Sequence, residues 1–80
     1  MRAIIEVGLK DGVLDTQGKA VAGALRGLGF GEVADARVGR IIVLDLSETE
    51  VEAAQARAKA MCDSLLANPV IESYKIRIEA

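Results

Sequence analysis

Few side chains in this 80-residue chain are of a type that makes or breaks bonds. It has no histidine, which removes the usual proton carrier near neutral pH and the commonest metal ligand. Its single cysteine, Cys62, falls on the apolar stripe of a helical segment and reads as a packing residue, not a nucleophile. Gly18-Lys19 suggests a phosphate loop. That loop needs glycine upstream and a hydroxyl after the lysine, so that amides cradle phosphate and the hydroxyl meets magnesium. Here Leu14-Asp15 and Ala20 stand in those places, and the match fails. Gly27, Gly29 and Gly31 make a poor dinucleotide fingerprint: they close a helix where the motif must open one, and Glu32 takes the third glycine's position. Glu6, Asp45 and Glu72 form no pair by spacing and read as solvated surface groups. The residues therefore argue against a self-sufficient enzyme.

Two polar groups keep alternatives open. Asp15 fits a helix N-cap, its side-chain oxygen meeting an orphan amide. Gly18 then lies in the first turn, where Gly is about 1 kcal/mol worse than Ala. It either admits the backbone of another chain at close range or exposes amides to an anion. Arg37, Gly39 and Arg40 surround a turn. They are a solvated rim, or cations that meet acids on a larger partner.

The elements that must position these residues are legible from periodicity. Ala3, Ile5, Val7 and Leu9 alternate with Ile4, Glu6 and Gly8, predicting a strand over 2–9. Lys10-Asp11-Gly12 is a polar turn. Asp15 or Thr16 caps a helix whose Val21, Ala24, Leu25 and Leu28 form one apolar stripe, and Gly29 is placed to stop it in a left-handed conformation. A second strand with weak alternation is expected over 33–38, a turn or bulge at Gly39-Arg40, and a third strand over 41–46. Ser47 and Glu50 have capping-box spacing, so a second helix is expected from there. Its apolar face is Val51, Ala54, Ala58, Met61, Cys62 and Leu65, and Asn68-Pro69 ends it. The last strand is expected over 70–79, with Val70, Tyr74, Ile76 and Ile78 on one face.

The order β-α-β-β-α-β predicts one α+β domain over residues 1–80, an antiparallel sheet with both helices on one face in a ferredoxin-like arrangement. The third strand is apolar on both faces: Ile41 and Val43 point one way, Ile42, Leu44 and Leu46 the other. Such a strand is normally covered on both sides. One copy cannot supply that cover, so Ile42, Leu44 and Leu46 are expected at a contact between copies, in a dimer or tetramer.

Composition agrees. Half of the chain is apolar, yet Phe30 and Tyr74 are its only aromatics, so the core must be aliphatic. A domain of this size buries only about 60% of its unfolded surface, and a lone cysteine offers no disulfide to reinforce it. Association is the remaining route to stability. The net charge of −2 is spread over interspersed acids and bases, against nucleic-acid binding. No apolar run approaches a membrane span, and a strand starting at Arg2 leaves no room for a signal peptide. A reducing, cytoplasmic setting is expected.

The strings Val13-Leu14-Asp15-Thr16-Gln17-Gly18-Lys19-Ala20, Asp35-Ala36-Arg37-Val38-Gly39-Arg40 and Leu65-Leu66-Ala67-Asn68-Pro69-Val70-Ile71-Glu72-Ser73-Tyr74 are more particular than caps and turns require. In residues and spacing the chain resembles PurS, the small subunit of phosphoribosylformylglycinamidine synthase, from about Leu9 to the C-terminus. Thr16 departs from the family's usual Pro, and Arg40 from its usual Lys. The resemblance implies a non-catalytic subunit of a glutamine-dependent C–N ligase complex in purine biosynthesis. A PurQ-type glutaminase would release ammonia, and a PurL-type synthetase would use it with ATP and Mg. This chain would bridge the two, assist ammonia transfer and bind no cofactor itself. It also implies a partner interface at Asp15, Gly18, Lys19, Asp35, Arg37, Gly39, Arg40 and Asn68. The competing expectation is a free-standing small-molecule-binding regulatory oligomer.

Overall fold

The computed structural model describes residues 1–80. The order is β1 (Arg2–Leu9), α1 (Thr16–Gly27), β2 (Arg40–Asp45), α2 (Val51–Met61), a π-helical turn (Cys62–Leu66) and β3 (Glu72–Glu79). β1 lies at the centre of a three-stranded sheet, antiparallel to β2 on one side and to β3 on the other. The alternation read in β1 sets the core. Ala3, Ile5 and Val7 are buried, and Ile5 sits in register with Ile42 of β2 and Ile76 of β3.

α2 and the first residue of the π turn cover that face with small residues, Ala54, Ala58 and Cys62, all fully buried. Small side chains let the helix lie close on the aliphatic row. The π turn then changes which residues face inward. Ala67 N–H donates to the Cys62 carbonyl, five residues back, and this wider turn rotates the following side chains about the axis. Leu66 packs against the core and Ala67 is buried, whereas Leu65, expected on the apolar face, is 83% exposed.

Several boundaries differ from expectation. Residues 33–39 occupy the place of the second strand in the β-α-β-β-α-β order but form no ladder within the chain. They run back beside α1 instead, with Arg26 Nη1 donating to the Val33 carbonyl at 2.9 Å. The Ser47–Glu50 capping box does not form: α2 starts at Val51, and its N-cap Glu50 makes no side-chain bond. Pairing continues past β2, with Leu46 N–H donating to the Met1 carbonyl at 2.8 Å, so residues 47–49 are spent leaving the sheet. β3 begins at Glu72 because Asn68 turns the chain first. Its Oδ1 accepts from Val70 N–H and its carbonyl from Glu72 N–H.

α1 is the larger surprise. Expected beside α2 on the sheet, it forms no packed interface with any strand or with α2. It projects as an arm, and the molecule measures 48 × 26 × 14 Å. The helix itself is as read, capped by Asp15 and followed by Gly29 at φ 102°. Its buried residues are Gly18 and Ala22, while Val21 and Leu28 are exposed.

The two faces of β2 are also reassigned. Ile42 and Leu44 are partly buried against the core of their own chain. The outward row on this strand is Ile41 and Val43, 65% and 52% exposed. Leu46 is half-buried at the strand's end, held by Met1.

Candidate functional site

The sequence motifs meet at one end of the sheet, where β1 ends and β2 and β3 begin. Asp15 stands at the centre. Its Oδ1 accepts from Gly18 N–H at 2.7 Å, the capping bond, and its Oδ2 accepts from Val38 N–H at 2.8 Å. The residue is 6% exposed. Donation from Val38 and then Gly18 holds its carboxyl below the ordinary carboxylate range, against the opposing effect of burial, with Arg37 adding to the lowering. Gly18 is explained by space: a Cβ there would overlap the Ala36 carbonyl oxygen and crowd the Asp15 carboxylate. The sequence left open another chain's backbone or an anion at this glycine, and the backbone that lies against it is Ala36 of the same chain.

Arg37 and Arg40 are both engaged internally. Arg37 Nη2 donates to the carbonyls of Leu9 and Lys10 at 3.2 and 3.4 Å. Arg40 presents its fork to Glu72, Nη1 to Oε2 at 2.6 Å and Nη2 to Oε1 at 3.1 Å, and Nη2 also reaches the Leu66 carbonyl at 2.6 Å. Asn68 N–H completes the group by donating to Glu72 Oε1 at 2.7 Å. Glu72, read as an isolated surface acid, is therefore a paired one. Arg40, with Asn68 assisting, lowers its pKa to about 2. A Cβ on Gly39 would lie 2.5 Å from the Val7 carbonyl oxygen, so that glycine lets β2 approach β1 as it enters the sheet.

Lys19 and Asp35 differ from the rest. Both are exposed, and they line a concavity of about 550 Å³ with Asp15 and Arg37. Lys19 Nζ makes no hydrogen bond within the chain, and Asp35 bonds only its neighbour's amide, Ala36 N–H.

A second cluster lies on the π turn. Tyr74 Oη donates to Asp63 Oδ1 at 2.7 Å and Lys59 Nζ to Asp63 Oδ2 at 2.9 Å. Asp63 is held low by Tyr74 and then Lys59, while Lys59 and Tyr74 are raised, each chiefly by its bond to Asp63. The i, i+4 spacing of Lys59 and Asp63 marks that half of the cluster in the sequence. Nothing local marks Tyr74, 11 residues further on, or the partner of Glu72. Cys62 is buried as expected, and desolvation raises its thiol pKa, which keeps it protonated. No three His, Cys, Asp or Glu side chains come together as a metal ion would need. No helix is long and apolar enough to cross a membrane.

These polar groups fasten strand ends, a helix start and a return segment to one another, while large apolar side chains stay exposed on the arm and on the outer face of the sheet. That combination defines an α+β assembly module, whose surface is its working part. The family model for PurS, phosphoribosylformylglycinamidine (FGAM) synthase, matches residues 2–80. The chain belongs to the PurS family. It is 40% identical over 75 residues to the Bacillus subtilis (strain 168) phosphoribosylformylglycinamidine synthase subunit PurS, covering 94% of this chain and 88% of that one. Methanocaldococcus jannaschii PurS superposes with a TM-score of 0.90 at 36% identity, covering 98% and 94% of the two chains. A chain in the structure of PurLQS from Thermotoga maritima superposes with a TM-score of 0.87 at 32% identity, covering 95% and 93%. Since these solved chains superpose over nearly their full length, the projecting arm is part of the family's fold.

Proposed function

We propose that this chain is the small subunit of a phosphoribosylformylglycinamidine synthase complex and carries no catalytic residues of its own. The complex converts formylglycinamide ribonucleotide, glutamine and ATP into formylglycinamidine ribonucleotide, glutamate, ADP and phosphate in purine biosynthesis. A PurQ-type glutaminase supplies ammonia, and a PurL-type synthetase binds ATP and Mg. The present chain bridges them in the cytoplasm and assists ammonia transfer. One observation carries this reading: the close superposition, over almost the whole chain, on a subunit within the PurLQS structure. Keeping ammonia from bulk water asks for packed protein surface, which a module without free reactive groups supplies. The free-standing regulator is not favoured, because the family model and the relatives it resembles are those of the synthase subunit.

The chain works as a homo-oligomer within this complex. Only 10 of its 80 residues are buried, too few to hold the arm and the outer sheet face without cover. Ile41, Val43 and the stripe of α1 are the surfaces available to a second copy. Lys19 and Asp35, exposed and nearly free of internal bonds, are the motif residues left to meet a partner subunit. The test is reconstitution: purified PurL- and PurQ-type subunits, with glutamine, ATP and the ribonucleotide, should show glutamine-dependent synthesis that requires this chain. Full activity without it would overturn the proposal, as would glutamine or ATP turnover by this chain alone.

A further inference from the structure

α1 is joined to the sheet through a neck, not through a packed face. The chain crosses this neck twice, outward over residues 10–15 and back over 35–39. Because α1 has no packed interface with the strands or with α2, the direction of the arm is decided where the two crossings meet. Asp15 joins them. Capping the helix occupies only Oδ1, with Gly18 N–H at 2.7 Å. Oδ2 reaches across to Val38 N–H at 2.8 Å, 23 positions further along the chain. One carboxylate thus fastens the start of the arm to the segment that returns from it.

The surroundings fit a joint built to be stiff. Asp15 is 6% exposed, so water competes little for its two bonds. Arg37, on the returning crossing, ties it a second time to the Leu9 and Lys10 carbonyls at the end of β1. Gly18 brings the helix against the Ala36 carbonyl, closer than any side chain would allow. An ordinary N-cap needs one side-chain oxygen, and serine would serve as well. A carboxylate whose second oxygen holds a distant amide does something more.

We propose that Asp15 is a latch: a positioning residue that fixes the angle between the α1 arm and the sheet. The angle sets how copies and partner subunits meet, a consequence that rests on the subunit reading above. The latch itself acts within one chain.

The experiment places nitroxide labels at Gly23→Cys, on the arm, and Lys75→Cys, on the exposed side of β3, in a Cys62→Ala background of the full chain. A Cβ at position 23 meets nothing within 4 Å, so that label is tolerated. Labelled chain is diluted into excess unlabelled chain, so pulsed dipolar spectroscopy reads the distance within a chain. The background should give one narrow distance. Asp15→Ser keeps a capping oxygen but is too short to reach Val38, and should lose the narrow peak while helix content by circular dichroism is unchanged. Asp15→Asn keeps the capping oxygen at full reach and turns an amide donor towards the Val38 donor. It should lose the narrow peak too, and it decides the matter if the serine variant fails to fold. A parent-like narrow distance in a folded variant overturns the latch, as does broadening that only follows loss of helix. Sedimentation and reconstituted activity of the parent chain are measured separately. Their failure would remove the subunit reading and leave the within-chain distance readable.

Discussion

Arg40 opens β2 and Glu72 opens β3, and their side chains meet at 2.6 Å across the end of the central strand. The pair closes the sheet at the edge where the arm departs. The Glu72 side chain is 14% exposed, and Arg40 also caps the Leu66 carbonyl at the end of the π turn. Exposed ion pairs contribute little, but a two-pronged contact that joins three elements is a better case for stability. Arg40→Ala should lower the melting temperature by about 4–8 °C, a large shift for a domain this small. Arg40→Lys, which keeps the charge and loses the fork, should fall between. A melting temperature unchanged in Arg40→Ala would return this residue to the surface and leave it free for a partner.

Acid should unfold the chain through the same groups. Glu72 titrates at about 2 in the folded chain, against 4.5 ordinarily, and Asp15 and Asp63 are also held below their ordinary 3.8. A carboxyl whose folded pKa is depressed binds its proton more readily unfolded. Its stabilisation is complete above the unfolded value and is lost as pH falls towards the folded one. Melting temperature should therefore be level from neutral pH down to about 5 and then decline towards pH 2. Glu72→Gln should start lower at neutral pH and decline less steeply. Parallel declines in the two proteins would show that Glu72 is not linked to folding. Tyr74 and Lys59 shift upward from 10.0 and 10.5, so their contribution is full below those values and is lost as pH rises beyond them through the raised folded values.

The two faces of β2 should separate folding from association. Leu44→Ala removes packing against the core of its own chain and should cost about 2–3 kcal/mol in urea titration. Ile41→Ser and Val43→Ser alter the outward row. They should leave the folded chain within about 0.5 kcal/mol while weakening its oligomer in sedimentation. If all three variants lose stability and retain the parent's mass equally, the outward row is not a contact surface.

Glycines along α1 should respond with opposite signs. Gly18→Ala forces a methyl into the Ala36 carbonyl and should destabilise by about 1–3 kcal/mol. Gly23→Ala meets nothing within 4 Å, and the helix should gain about 0.5–1 kcal/mol. Equal gains at both positions, by thermal melting, would mean that the return segment does not lie against the first turn of α1.

How much was legible follows from the range of the interaction concerned. The β1 alternation, the Asp15 cap, the Gly29 stop and the burial of Cys62 are set by neighbours within a turn or two, and each was read correctly. The motif strings also led to the family. The roles of the motif residues were not legible in the same way. Gly18 and Arg37 make contacts within their own chain that no local pattern announces, because Ala36 and Leu9 come to them only after folding.

The sequence by itself determined β1 and its buried face, the cap and stop of α1 and the buried Ala54, Ala58 and Cys62, since helix caps, turn glycines and short-period alternation act over a few bonds and need no tertiary context. Where those elements lie was decided elsewhere. Leu65 pointed outward only once the chain adopted a π turn, and Ile42 faced its own core only once β2 paired with β1 in that register. α1 carries an ordinary apolar stripe, and such a stripe asks to be covered without stating by what. The bonds from Asp15 to Val38 and from Arg40 to Glu72, 23 and 32 positions apart, lie where the arm leaves the sheet, and Val21 and Leu28 of that stripe stay exposed within the chain. Contacts over such separations depend on the whole path of the backbone, which no local pattern encodes.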